Sequence, residues 1–248
     1  MPQRLLDSVR SGFGFLTTIP VGFNQAALDS LAKRMWICVL VGAVIGLLVG
    51  GISYALTFVP NMSGFVHAAL TLVTLYAVTG FIHLDGLADV GDGLLKHGTT
   101  RERLRVIKDP NIGVGGIAFC VLAFLLLFSA VASLKSTALV SALVTAEVAA
   151  KLSMVEVASL GRATHQGLGS LFAESSGLFT LAVALVIAAL LTVLCLGLRG
   201  LLVLLPPLAL SFGLVQLANR AFGGINGDVI GAANELGRLV ALITISFL

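Results

Sequence analysis

Seven stretches of about twenty residues are almost unbroken in apolar character: 36–59, 63–84, 112–133, 137–160, 178–198, 200–218 and 230–248. A helix of roughly 20 apolar residues crosses the hydrocarbon of a bilayer, whereas a soluble domain mixes apolar and polar positions with a helix or strand period. The pattern predicts an all-α, polytopic integral membrane helix bundle of about seven transmembrane helices. The loops are short, so residues 1–248 read as a single transmembrane domain. Gly42, Gly46 and Gly50 recur every fourth residue in the first stretch, a small-residue stripe that suits close helix packing. Pro206 and Pro207 are expected to kink the sixth. The start, MPQRLLDSVRSGFGFLTTIPVGF, is amphipathic and lacks the continuous apolar core of a signal peptide, so it is expected along the membrane surface.

Composition sharpens this picture. Only 11% of residues are charged, against about a quarter in an ordinary soluble domain. A net charge of +3 does not suggest a nucleic-acid partner. Cys38, Cys120 and Cys195 stand far apart inside apolar runs and read as small buried residues, neither disulfides nor metal ligands. The basic residues are placed unevenly. Arg4, Arg10, Lys33 and Arg34 precede the first span, and Lys96, Arg101, Arg103, Arg105 and Lys108 follow the second. By the positive-inside rule the N-terminus is predicted cytoplasmic and the C-terminus, after seven spans, external. The acids near residue 85, Arg162 and the stretch NRAFGGINGD then meet at the cytoplasmic face.

Those acids carry the chemistry. In HLDGLADVGDG, Asp85, Asp89 and Asp92 are spaced i, i+4, i+7 at the end of an apolar run. At about 100° per residue they project within roughly 60° of one another. Acids in a membrane segment are functional by default, and oxygen donors suit hard divalent cations such as Mg²⁺. Gly86, Gly91 and Gly93 leave room for a bulky phosphate to approach the backbone. In GGINGDVIGAANELGR, Asp228 and Glu235 share a face at i, i+7, and Asp228 is either a helix cap or a further metal ligand. Gly224 and Asn226 adjoin it. The basic loop 96–108 holds a phosphate, attracts anionic lipid or merely sets topology. Lys108, Asp109 and Asn111 stand beside the third span and could line the site. Glu147 and Lys151, i, i+4 within the fourth span, read as a mutually neutralising pair. His83 adjoins the acids as a hydrogen-bonding group or a base; His67 reads as packing, and the sequence does not rank the loop residues His97 and His165, the latter close to Arg162. No Walker loop, GxSxG or HExxH occurs. The chemistry that fits is attack of an alcohol on a phosphoanhydride, with a carboxylate-held metal bridging the phosphates.

FIHLDGLADVGDGLL, followed by IKDPNIGVGGIA, GRATHQGLG and RAFGGINGDVIGAANE, and preceded by GFLTTIPV, resembles the cobalamin synthase family, the adenosylcobinamide-GDP ribazoletransferases. The matches run in order along essentially the whole chain. Asn226 departs from the threonine that many members carry. The resemblance implies a Mg²⁺-dependent transferase of the cell membrane acting in cobalamin biosynthesis. α-Ribazole, or its 5′-phosphate, attacks adenosylcobinamide-GDP, GMP leaves, and adenosylcobalamin or its 5′-phosphate forms. On this basis Mg²⁺ is expected on Asp85, Asp89, Asp92 and Asp228, with His83 or a carboxylate accepting the proton. Lys108, Asp109, Asn111, Arg162, Gly224, Asn226 and Glu235 are expected to hold substrate. Partners are the two small-molecule substrates and the lipid bilayer, with homo-oligomers or other corrinoid-assembly enzymes left open. Two rivals stand beside it. A CDP-alcohol phosphotransferase would carry DGxxAR and a more distant second pair of acids, both missing here. A cation transporter would place its acids near the midplane of a repeated fold.

Overall fold

The computed structural model describes residues 2–22 and 25–248; the side chains of residues 2–4, Arg4 among them, lie outside the described residues. It is a bundle of helices: α1 (Pro2–Leu16), α2 (Gln25–Ala32), α3 (Ile37–Leu56), α4 (Gly64–Thr79), α5 (Ile82–Leu95), α6 (Thr100–Ile107), α7 (Val114–Ser133), α8 (Leu139–Leu160), α9 (Leu168–Ser175), α10 (Leu178–Leu196), α11 (Arg199–Phe222) and α12 (Gly227–Ser246). Six helices are long and apolar enough to cross a membrane, and α4 with α5 forms a seventh, broken unit. Among the described residues the only strand-like pairing is one isolated bridge, Ala163 with Ile225.

α8 is the central pillar. Every residue from Ala142 to Ala158 is buried, although the segment includes Glu147, Lys151 and Glu156. α3 lies directly on it, and the Gly42–Gly46–Gly50 stripe is the reason. A Cβ on Gly46 would stand 2.5 Å from the Val144 Cα, so the two backbones touch where side chains are missing. Outward faces are apolar: Leu190 and Leu194 of α10 are largely exposed, as suits side chains that meet lipid. α11 continues through Pro206 and Pro207 as one helix.

The second span departs from its expected course. It runs from Ser63, whose hydroxyl accepts the Val66 N–H at 3.2 Å, to Gly80, whose φ of +68° ends α4. The chain then turns by 99° into α5. Sixteen residues at about 1.5 Å each give α4 a length of about 24 Å. The acids are therefore not at the C-terminal end of a spanning helix. They sit on a separate helix that packs along the first turns of α7 and α12, with Asp85 in its own first turn, where the helix dipole favours negative charge. Thr18 latches the bend from outside: its N–H donates to the Val78 carbonyl at 2.8 Å and its hydroxyl to the Ala77 carbonyl at 2.7 Å.

Candidate functional site

The glycines of the acidic motif bring helices together and do not line a vacancy for ligand. A Cβ on Gly86 would meet the Asp228 carbonyl oxygen at 2.7 Å. One on Gly91 would meet the Phe119 ring at 2.8 Å, and one on Gly93 the Ile107 side chain at 2.7 Å. α5 thus lies in backbone contact with the first turn of α12, and Asp85, Asp89 and Asp228 face one junction. Asp85 is exposed, and Asp89 and Asp228 are partly so. Asp228, Asp85 and Asp92 all act on Asp89 as like charges. Among the described residues none of these four acids has an ion-pair partner.

Asp92 differs from the other three. Its two carboxylate oxygens accept the N–H groups of Gly113 at 2.6 Å and Gly116 at 2.9 Å. These are orphan donors at the start of α7, which a carboxylate satisfies well. The glycines of GVGG are explained by the same contact, since Cβ atoms on Gly115 and Gly116 would press on Asp92. Asp92 thus anchors the start of α7, in addition to the ligand role that the sequence suggests for it.

The approach to α12 is built by two loops clasped together. Ile225 N–H donates to the Arg162 carbonyl at 2.7 Å, and Thr164 N–H to the Ile225 carbonyl at 2.9 Å. Gly224 sits with φ +151° against the Arg162 carbonyl, and Gly169 packs on Asn226 and Gly227. Asn226, not Asp228, caps α12: its side-chain oxygen accepts Val229 N–H at 3.0 Å. Its amide donates to Asp228 at 2.7 Å and fixes that carboxylate. Arg162 keeps an exposed side chain beside this turn.

Other expected members are elsewhere. His83 is buried, with Nε2 lacking a partner and its ring edge-on to Phe15 at 6.0 Å. Asp109 is exposed and closed on its own turn, accepting the Asn111 backbone N–H at 3.0 Å and side-chain amide at 2.8 Å. Those hydrogen bonds hold its carboxyl below the usual range. Lys108 and Asp109 line an open surface groove with Arg101 and Arg105, and no hydrogen bond or ion pair among the described residues joins Lys108, Asp109 or Asn111 to the acids. Glu235 lies inside the bundle. It accepts the Tyr76 hydroxyl at 2.8 Å, Arg238 Nη1 at 2.6 Å and the Asn234 amide at 2.9 Å. Arg238 also pairs through Nε with Glu147, which Lys151 Nζ meets at 2.6 Å. The Glu147–Lys151 pair is thus half of a fully buried four-charge cluster. Sequence reasoning missed Arg238, although an arginine inside a predicted span was the available signal.

No three His, Cys, Asp or Glu side chains among the described residues converge as a ready metal cage. The donor chemistry nevertheless fits Mg²⁺, which is commonly held by one or two carboxylates together with substrate phosphates. Asp85, Asp89 and Asp228 are oxygen donors of one sign that form no ion pair with a Lys, Arg or His among the described residues.

A helical bundle with six or seven candidate membrane spans and a set of acids at a helix junction defines the class as a multi-pass membrane protein with an acidic site. The chain belongs to the cobalamin-5-phosphate synthase family, whose model matches residues 8–246. Relatives named adenosylcobinamide-GDP ribazoletransferase are similar along their length. One from Methanococcoides burtonii is 36% identical over 97% of this chain and 92% of the relative. One from Methanosarcina mazei is 37% identical over 97% and 92%, and one from Halorubrum lacusprofundi 40% over 96% of each. No solved structure matches the chain.

Proposed function

We propose that this protein joins α-ribazole, or its 5′-phosphate, to adenosylcobinamide-GDP with release of GMP. The observation that carries the reading is the set of carboxylates at the α5–α12 junction, Asp85, Asp89 and Asp228, which have no ion-pair partner among the described residues. Family membership supplies the substrates. Mg²⁺ held there would neutralise the diphosphate and stabilise departing GMP. Asn226 fixes the Asp228 carboxylate, and Asp92 fixes α5 against α7, so the acids stand on rigid helices. Arg162, exposed beside the clasped loops, reaches phosphate oxygens as a planar donor. The basic residues of α6 lie at the same end as the acids, which supports a cytoplasmic site.

The test is a product assay in nanodiscs with adenosylcobinamide-GDP, α-ribazole 5′-phosphate and Mg²⁺. GMP and a complete corrinoid should form, and EDTA should abolish both. Formation of CMP from CDP-diacylglycerol and an alcohol, with no corrinoid product, would refute the reading.

A further inference from the structure

The reaction needs a group to take the proton of the attacking hydroxyl, and the two histidines near the acids are unequal candidates. His83, in the first turn of α5, is buried against Phe15. His165 is exposed, on the loop whose Arg162 and Thr164 backbones bond Ile225, three residues before Asp228. Its Nδ1 stands 2.8 Å from the Thr164 hydroxyl, which itself stands 3.3 Å from the Ile225 carbonyl oxygen. A carbonyl only accepts. Both contacts are hydrogen bonds only if Thr164 donates to Ile225 and accepts from His165 Nδ1–H. In the neutral ring that arrangement puts the proton on Nδ1 and leaves the lone pair of Nε2 free, the tautomer a base requires. The loop is not free to drift, because Thr164 N–H and Ile225 N–H tie it to the turn that leads into Asp228.

We infer that His165 Nε2 is the base that accepts the proton of the attacking hydroxyl, with Thr164 holding the ring in the required tautomer. This rests on the reaction proposed above. As the nucleophile's oxygen bonds to the phosphorus attached to cobinamide, its proton passes to Nε2, and the electron pair of the breaking P–O bond leaves with GMP. General-base assistance contributes about 10²–10⁴-fold in rate.

The experiment measures GMP release by wild type, His165→Ala and Thr164→Val in nanodiscs, with thermal unfolding recorded for each. His165→Ala should lose about 100-fold or more in kcat with KM nearly unchanged. Added imidazole should restore at least about tenfold of it, a response that a purely structural histidine would not give. Thr164→Val should lose about tenfold in kcat at unchanged KM, since the ring remains but its tautomer is no longer fixed. His165→Ala activity within twofold of wild type, a rise confined to KM, or a loss that imidazole does not restore would each overturn the assignment. Absence of GMP release by wild type would instead count against the reaction itself.

Discussion

Two groups of charges are embedded in these apolar helices, and they are built on opposite principles. Inside the bundle, Glu147, Lys151, Glu235 and Arg238 sum to zero, and hydrogen bonds from Tyr76 and Asn234 supplement their ion pairs. At the α5–α12 junction, Asp85, Asp89 and Asp228 share one sign and are partly open. Removing a charge from water is costly unless it is paired. The first cluster meets that cost internally and joins α4, α8 and α12. The second leaves it unmet, which is tolerable only at an edge where water or a cation and its phosphate can reach. Charge balance, more than the presence of acids, separates the structural cluster from the proposed functional one.

The comparison can be broken most directly at Arg238. Arg238→Met leaves two buried glutamates facing one lysine, and the loss should be about 3–5 kcal/mol, seen as a large fall in the unfolding temperature in detergent. An unchanged temperature would remove the structural role. Asp89→Asn should do the reverse. GMP release should fall by at least about 100-fold, or about 2.7 kcal/mol of barrier, while thermal stability holds or rises as like-charge repulsion is relieved. Destabilisation there would place Asp89 in the structural class. Asp92→Asn sits between the two. Losing charge-assisted bonds to Gly113 and Gly116 should cost about 1.5–3 kcal/mol, with activity falling only as far as α5 loosens. A fall in Mg²⁺ affinity at full stability would make Asp92 a ligand as well. The smallest effect is expected at the bend, where Thr18→Val removes one hydroxyl bond to Ala77 and should cost about 1 kcal/mol in stability.

Much of this was legible in the chain. Spans of apolar residues are a one-dimensional signal, and the spacing of Asp85, Asp89 and Asp92 does place them on one helical face. The glycine stripe of α3 was also readable, because its period matches a helix face. What stayed hidden was contact between distant segments. Gly86, Gly91 and Gly93 looked like room for phosphate, since nothing in the sequence says that the Asp228 backbone, Phe119 and Ile107 occupy that room. Asp92 looked like its neighbours, because its partners at Gly113 and Gly116 lie more than twenty residues on. The break at Gly80 was signalled by a glycine at a helix end, but the apolar run on both sides masked it.

The buried four-charge cluster also bears on how the chain enters the membrane. Lys151 neutralises Glu147 one turn away on α8, and Arg238 neutralises Glu235 one turn away on α12. Each helix therefore carries its own counter-ion into the bilayer, where an unpaired charge at the centre costs about 2.5–3.5 kcal/mol. α8 can be inserted before α12 has been synthesised, and the Arg238–Glu147 bond closes only when the last helix docks. The same docking brings Asp228 to Asp85 and Asp89. α12 thus takes part both in the buried cluster and in the acidic junction, so its docking completes the two together.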